Sequence, residues 1–120
     1  MANIMIADDS DAIRLVLRDL LGIGKHSVVA EAINGEEAVD MYFKNGPDLL
    51  LLDLAMPKKD GLTVLKEIME KDSDAKVVLI TASDDQKIIN QCLELGAISA
   101  ISKPFDFNIV IKQINDSLSN

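Results

Sequence analysis

Residues 49–61 read LLLLDLAMPKKDG, and this stretch decides the fold. Its first four residues are all leucine, without the polar alternation of a strand that faces water on one side. Such a fully apolar run is typical of a central strand in a parallel sheet, which is buried on both faces. The run ends at Asp53, and a helical pattern begins after Gly61. The stretch therefore predicts a buried strand followed by a helix.

The same strand–helix unit recurs on both sides of this stretch. Strands are predicted at 3–7 and 27–30 before it, and at 76–80 and 97–101 after it. Ser10 would cap the first helix, Gly22 and Gly24 would end it, and Asn34-Gly35 would form a turn before the second. The last two helices are predicted at about 84–95 and 106–118. Five such units with short connections predict an α/β fold, a doubly wound parallel sheet with helices on both faces.

Residues with acidic, hydroxyl or basic side chains follow four of the predicted strands. Asp8-Asp9 follows the first strand, Asp53 the third, Thr81 the fourth and Lys103 the fifth. The ends of parallel strands lie along one edge of a sheet, where open α/β sheets bind their ligands, so these residues can meet in one crevice. Asp8-Asp9 alone would equally suit the start of a helix. The whole set in order is therefore what carries the functional hypothesis.

These residue types favour phosphoryl transfer. Three carboxylates in one place repel one another, and a hard divalent cation such as Mg²⁺ offsets that repulsion. The chain has one histidine, His26, and one cysteine, Cys92, which argues against zinc. Asp53 is the predicted nucleophile, since carboxylates form aspartyl phosphates. Lys103 would bring positive charge and Thr81 a hydroxyl donor to the phosphoryl oxygens.

The composition excludes several other classes of protein. The chain has 120 residues, of which 48% are hydrophobic and 27% are charged, as in an ordinary globular domain. Its 20 acidic and 12 basic residues give a formal net charge of −8, which disfavours direct binding to nucleic acid or to anionic membranes. We expect no membrane span and no signal peptide. The lone Cys92 is expected to be a packed thiol, compatible with a cytoplasmic location.

With these motifs the chain resembles the receiver domains of response regulators in two-component signalling, of the CheY-like single-domain kind. The resemblance covers the whole chain, so one receiver domain is expected over residues 1–120. It rests on Asp8-Asp9, on the stretch from Asp53 to Gly61, on Thr81-Ala82 and on Lys103-Pro104-Phe105. It implies a flavodoxin-like (βα)5 topology with strand order 2-1-3-4-5. It also implies a signalling module that catalyses only its own phosphorylation and dephosphorylation.

The resemblance implies a phosphate acceptor and a metal site. Asp53 would accept a phosphoryl group from a sensor histidine kinase in a Mg²⁺-dependent reaction, and this would switch binding to a downstream partner. Asp9, Asp53 and the backbone carbonyl of Ala55 would bind Mg²⁺ directly. Asp8 would act mainly through water.

The resemblance also implies how the phosphorylated state would be read, and here the chain departs from the family. Lys103 would contact the phosphoryl group through a cis peptide bond to Pro104, and Thr81 would move toward it. Receiver domains commonly have Tyr or Phe three residues before the lysine, where this chain has Ala100. In the family, movement of the threonine is coupled to inward rotation of that aromatic ring, and an alanine has no ring to rotate. We therefore expect switching to run through the loop after Thr81 and the fourth helix.

Two small residues predict a short-lived aspartyl phosphate. Ala55 and Ser83 match family positions that tune the lifetime of the phosphate. Small side chains at both positions would leave an in-line path for water.

A partner surface is predicted on the fourth helix, the fifth strand and the fifth helix. The two helices carry more apolar residues than one buried face needs: Ile88, Ile89, Cys92, Leu93, Leu95, Ile109, Val110, Ile111 and Ile114. This surface would bind a downstream effector or a second copy of the domain. The other interpretation is that these residues simply cover the sheet.

Two other functions suit some of the same residues. The chain could be the receiver half of a transcription factor or output enzyme, truncated after the last helix, which a reading frame beyond Asn120 would reveal. It could also be a Mg²⁺-dependent phosphatase with an aspartyl nucleophile. Some such enzymes have Asp-x-Asp after the first strand and a cap over the substrate, whereas Asp8 and Asp9 are adjacent and no cap segment is predicted.

Overall fold

Leu49–Leu52 is the central strand of a five-stranded parallel sheet in the computed structural model of the protein, which describes residues 2–119. The strands are β1 (Asn3–Ala7), β2 (Ser27–Ala32), β3 (Leu49–Leu52), β4 (Val77–Thr81) and β5 (Ser99–Ser102). Their order across the sheet is β2-β1-β3-β4-β5. The flavodoxin-like strand order implied by the family resemblance is thus confirmed.

A helix follows each strand, and a side chain caps the start of each helix. The helices are α1 (Asp11–Ile23), α2 (Gly35–Asn45), α3 (Gly61–Lys71), α4 (Gln86–Leu95) and α5 (Phe107–Leu118). The capping side chains accept a backbone N–H of the first turn, which a helix leaves unpaired, and they belong to Ser10, Asn34, Asp60, Asp85 and Asp106. None of the helices within residues 2–119 combines the length and apolar character needed to cross a membrane.

Some predicted boundaries differ from those in the structure, and β2 and β4 end one or two residues later than predicted. Gly24 caps the end of α1 as predicted, but Gly22 lies inside the helix, because a single exposed glycine costs a helix only about 1 kcal/mol. Asn34 and Gly35 do not form a separate turn, since the Asn34 side chain caps α2 and Gly35 is the first residue of that helix. Strand β5 begins at Ser99, because the N–H of Ala97 is still bonded to a carbonyl of α4.

The sheet carries an apolar layer on each face. Alternate residues of β3 serve the two layers, with Leu50 and Leu52 on one face and Leu49 and Leu51 on the other. The first layer is completed by residues of α2, α3 and α4, among them Ala38, Tyr42, Val64, Ile68 and Cys92. The second is completed by residues of α1 and α5, among them Leu17, Leu21, Val110 and Ile114. This double burial explains why β3 is apolar throughout.

The single thiol lies in the first layer. Cys92 is 0% exposed, and burial raises the pKa of the Cys92 thiol. The predicted packed thiol is confirmed.

Candidate functional site

Strand register brings the first acidic residues of two strands together. Ala7 at the end of β1 pairs with Leu52 at the end of β3. The next residues are Asp8 and Asp53, and the N–H of Asp53 donates to the Ala7 carbonyl at 2.9 Å. On the other side of β1, the N–H of Asp8 donates to the Ala32 carbonyl of β2 at 3.0 Å. Both aspartates are therefore fixed by backbone bonds at the carboxyl edge of the sheet.

Three carboxylates cluster at this edge. One oxygen of each of Asp8, Asp9 and Asp53 lies within 4.8 Å of the others. Asp8 is 1% exposed and Asp53 is 5% exposed, whereas Asp9 is open to solvent. Closely spaced oxygen ligands with one side open to water suit Mg²⁺, which keeps several of its waters when bound.

Burial makes the ionised form of Asp53 costly. The pKa of the Asp53 carboxyl is raised, mainly by desolvation and next by the negative charge of Asp8. The positive charge of Lys103 and the N–H of Ala55, which donates to Asp53 Oδ1 at 3.3 Å, act in the opposite direction. The carboxylates of Asp8, Asp9 and Asp53 thus carry more negative charge than the Lys103 ammonium neutralises.

Lys103 reaches the two buried carboxylates from the far side of the sheet. Thr81 of β4 pairs with Ser102 of β5, and the N–H of Lys103 donates to the Thr81 carbonyl at 2.9 Å. The ammonium nitrogen of Lys103 lies 2.7 Å from Asp8 Oδ2 and 3.5 Å from Asp53 Oδ2. The Lys103–Pro104 peptide bond is cis. Residues of the first, third and fifth strands therefore meet in one crevice.

The Thr81 hydroxyl takes part in a short chain of hydrogen bonds that leads to α4. Thr81 is 2% exposed, and its Oγ1 accepts the N–H of Ser83 at 3.0 Å. Ser83 Oγ accepts the N–H of Asp85 at 3.2 Å, and Asp85 Oδ1 accepts the N–H of Lys87 in the first turn of α4. The hydroxyl proton of Thr81 is not used by the bond to Ser83.

A small cavity lies beside the residues that directly follow Asp53. It has a volume of about 200 Å³ and is lined by Leu54, Ala55, Asp60, Leu62, Ser83 and Ile88. Ala55 and Ser83, the two small residues singled out in the sequence, thus line the same space. Ala100 lies half-buried in β5 opposite Leu79, against the first apolar layer.

The apolar residues of the last two helices divide between core and surface. Cys92, Val110 and Ile114 are buried and cover the sheet. Four apolar residues of the α4–β5–α5 region are exposed by 38–52%: Leu93, Ile98, Phe107 and Ile109. We use "the α4–β5–α5 surface" for these four residues.

Sequence reasoning missed Arg14, which supports the site, and gave no structural reason for Gly61. The guanidinium of Arg14 donates to the Asp8 carbonyl at 2.8 Å. Gly61 belongs to the stretch on which the family resemblance rests, and an added Cβ there would lie 2.5 Å from the Asp53 carbonyl oxygen, so only glycine fits. The charge of Arg14 gives no indication that its side chain turns inward.

Comparison with known proteins agrees with this geometry. The family model described as the response regulator receiver domain matches residues 4–115. The chemotaxis protein CheY of Bacillus subtilis (strain 168) is 38% identical over 117 residues, which cover 98% of each chain. The sporulation initiation phosphotransferase F of the same organism is 35% identical over 116 residues, covering 97% of this chain and 90% of the relative.

Comparison with solved structures also finds a close structural match. A chain in the crystal structure of the CheX–CheY–BeF3–Mg²⁺ complex from Borrelia burgdorferi matches with a TM-score of 0.92 at 34% sequence identity. The match covers 95% of this chain and 87% of the other.

Proposed function

The chain belongs to the response regulator receiver domain family, and from that membership we propose that Asp53 accepts a phosphoryl group from a sensor histidine kinase. The observation that carries this proposal is the placement of the Lys103 ammonium, which lies 2.7 Å from Asp8 and 3.5 Å from Asp53 beside an acidic cluster. A receiver of this kind is a signalling module of a two-component response regulator. Membership of this family favours the receiver over the phosphatase hypothesis.

A Mg²⁺ ion would be held by Asp9, Asp53 and the backbone carbonyl of Ala55, with Asp8 acting through water. The three carboxylate oxygens within 4.8 Å of one another support this ligand set, as does the raised pKa of Asp53. When bound, the ion supplies positive charge that offsets repulsion between the acceptor and the phosphoryl oxygens.

The acceptor acts as a nucleophile. A carboxylate oxygen of Asp53 forms a bond to phosphorus while the bond from phosphorus to the donor histidine nitrogen breaks, and that nitrogen keeps the electron pair. Lys103 turns its ammonium from Asp8 toward a phosphoryl oxygen. Thr81 donates its free hydroxyl proton to another phosphoryl oxygen. Hydrolysis by water later returns Asp53 to its carboxylate and releases inorganic phosphate.

The test is native mass spectrometry of the protein with Mg²⁺ and acetyl phosphate. We expect a mass gain of one phosphoryl group that requires Mg²⁺. The same spectrum distinguishes a phosphorylated monomer from a phosphorylated dimer. No gain with acetyl phosphate or with a phosphorylated histidine-kinase domain would contradict the proposal.

Filling the cavity beside Asp53 is expected to prolong the life of the phosphate. Ala55→Leu or Ser83→Leu would place a branched side chain beside the path of the attacking water. We expect the rate of phosphate loss to fall about tenfold, which corresponds to about 1.4 kcal/mol in the barrier. The decay of the phosphorylated mass after removal of acetyl phosphate measures this rate. Thr63→Leu, at an exposed position of α3, is the control, and equal lifetimes in all three variants would reject the steric explanation.

We propose that the switch runs through the loop after Thr81 and α4, since Ala100 offers no aromatic ring. Movement of Thr81 toward the phosphoryl group would deprive the Ser83 N–H of its acceptor and disturb the bonds that lead to Asp85. Amide hydrogen exchange should therefore change in residues 82–95 on phosphorylation, while β2, at the far edge of the sheet, should stay unchanged. Equal exchange of residues 82–95 in both states would show that the switch lies elsewhere.

The α4–β5–α5 surface is the proposed binding site for a downstream effector or a second copy of the domain. Its four exposed apolar residues support an interaction with a protein. The formal net charge of −8 supports neither direct nucleic-acid binding nor attachment to an anionic membrane. A cytoplasmic location is proposed because the phosphoryl donor would be a histidine kinase.

A further inference from the structure

Arg14 ties the start of α1 to the loop that carries the acidic pair. Its Nη1 donates to the Asp8 carbonyl oxygen at 2.8 Å. Its Nε lies 3.3 Å from Glu31 Oε1 on β2, and its Nη2 is paired with Asp11. The Arg14 side chain is only 13% exposed. A largely buried guanidinium held on three sides has a fixed orientation, unlike a surface arginine.

The bond from Arg14 completes a set that engages every polar atom of Asp8. The Asp8 N–H donates to Ala32, Oδ1 accepts the N–H of Ser10 at 2.9 Å, and Oδ2 accepts from Lys103. Only the carbonyl oxygen remains, and Arg14 donates to it. That carbonyl belongs to the peptide group joining Asp8 to Asp9. Its orientation therefore sets the direction in which the exposed Asp9 leaves the end of β1.

We propose that Arg14 is a positioning residue for the magnesium site, acting through the Asp8–Asp9 peptide group. The inference rests on the function proposed above, in which Asp9 is a direct ligand. Arg14 touches neither the metal nor the phosphoryl group. It holds the peptide plane so that the Asp9 carboxylate stays within reach of the Asp53 carboxylate. Replacing a residue that orients a metal ligand through a hydrogen bond typically lowers metal affinity about 10- to 100-fold.

Electrostatics and positioning predict opposite effects of removing Arg14. Loss of a positive charge near the site should by itself strengthen Mg²⁺ binding, because like charges repel. Loss of the bond to the Asp8 carbonyl should weaken binding, because Asp9 is no longer directed. Arg18 separates the two effects. Its Nε lies 3.5 Å from Glu31 Oε2, on the same helix as Arg14, but within residues 2–119 Arg18 makes no bond to Asp8.

The experiment is titration calorimetry of Mg²⁺ into the full chain with Arg14→Gln, Arg14→Lys and Arg18→Gln. We expect Arg14→Gln to bind Mg²⁺ about tenfold more weakly than wild type, and Arg18→Gln to bind it equally well or more tightly. Arg14→Lys keeps the charge but not the planar fork of donors, and we expect it also to weaken binding. Equal affinity of wild type and both Arg14 variants would overturn the proposal, as would equal weakening in Arg14→Gln and Arg18→Gln.

Two controls separate positioning by Arg14 from loss of the magnesium site and from misfolding. If wild type itself binds no Mg²⁺, the magnesium site of the proposed function fails, which is a different outcome from binding that is insensitive to Arg14. If Arg14→Gln does not fold, Arg14→Lys decides. The amide resonance of Asp9 gives a readout without metal, since its peptide group loses the bond from Arg14. An unchanged Asp9 resonance in a folded Arg14 variant would overturn the proposal.

Discussion

Asp53→Asn is expected to abolish phosphorylation by acetyl phosphate while making the protein more stable toward unfolding. The amide lacks the anionic oxygen that would attack phosphorus, so the mass gain expected of wild type should be absent. The stability should rise because the amide removes a buried negative charge that burial and Asp8 both disfavour. Loss of activity together with a gain in stability is characteristic of a residue that serves function at the expense of the fold.

The gain in stability should depend on pH in a defined direction. The pKa of Asp53 is raised in the folded protein from its ordinary value of 3.8. Below that value the carboxyl is neutral in both the folded and the unfolded states and costs nothing. Between that value and the raised folded pKa, the carboxyl is ionised in the unfolded state but still protonated in the folded state, so wild type loses stability as the pH rises. The stability advantage of Asp53→Asn over wild type should therefore grow as the pH rises above about 4 and level off once the pH passes the folded pKa.

Urea unfolding without Mg²⁺, followed by circular dichroism at several pH values, measures this difference. Asp19→Asn on the exposed part of α1 is the matched control and should give no such trend. A variant that still gains a phosphoryl group would place the acceptor elsewhere. A stability difference independent of pH would contradict the proposed cost of the buried charge.

Gly61→Ala is expected to destabilise the fold by about 2–3 kcal/mol. The added Cβ would lie 2.5 Å from the Asp53 carbonyl oxygen and 2.6 Å from Leu54 Cα. Both are backbone atoms of the two residues that directly follow β3, so neither can move aside as a flexible side chain could. The same displacement would shift Asp53, so phosphorylation should slow even in the fraction that remains folded.

Gly22→Ala in α1 provides the matched control for the glycine variant. A Cβ there meets nothing within 4 Å, and alanine is favoured over glycine within a helix by about 0.5–1 kcal/mol. The two glycine-to-alanine changes should therefore have opposite signs in urea unfolding. If Gly61→Ala were as stable as wild type, the close approach to Asp53 would not constrain the fold.

The sequence predicts those elements and site residues that a short stretch of neighbouring residues is enough to identify. The run Leu49–Leu52 indicates a doubly buried strand by itself, and Asp53 marks its end. The position of Thr81 and Lys103 at the same edge follows from the rule that parallel strands end together. The boundary at Gly22 was wrong because a single glycine costs a helix little, and the boundary at Ala97 was wrong because its N–H is bonded to the Cys92 carbonyl of α4.

The features that escaped prediction depend on contacts between distant segments. Arg14 turns back toward the end of β1, and the need for glycine at Gly61 comes from its close approach to the backbone of Asp53 and Leu54. Neither contact follows a periodic pattern in the sequence. Strand register at the level of Ala7 and Leu52 is likewise invisible in the sequence, although it sets Asp8 beside Asp53. Such features need the packed chain, because they arise from geometry that no single segment contains.

In the proposed switch, the three hydrogen bonds from Thr81 through Ser83 and Asp85 to α4 limit how far phosphorylation could shift the conformational equilibrium. A ligand must favour one of two states by about 5.5 kcal/mol to move a population from 1:99 to 99:1. A typical hydrogen bond contributes about 1 kcal/mol net, so rearranging the three bonds described here accounts for only about half of that difference. One phosphoryl group acting through this path alone would produce a graded response, in which unphosphorylated and phosphorylated proteins share states in different proportions. A binding partner that prefers one state would supply the remainder.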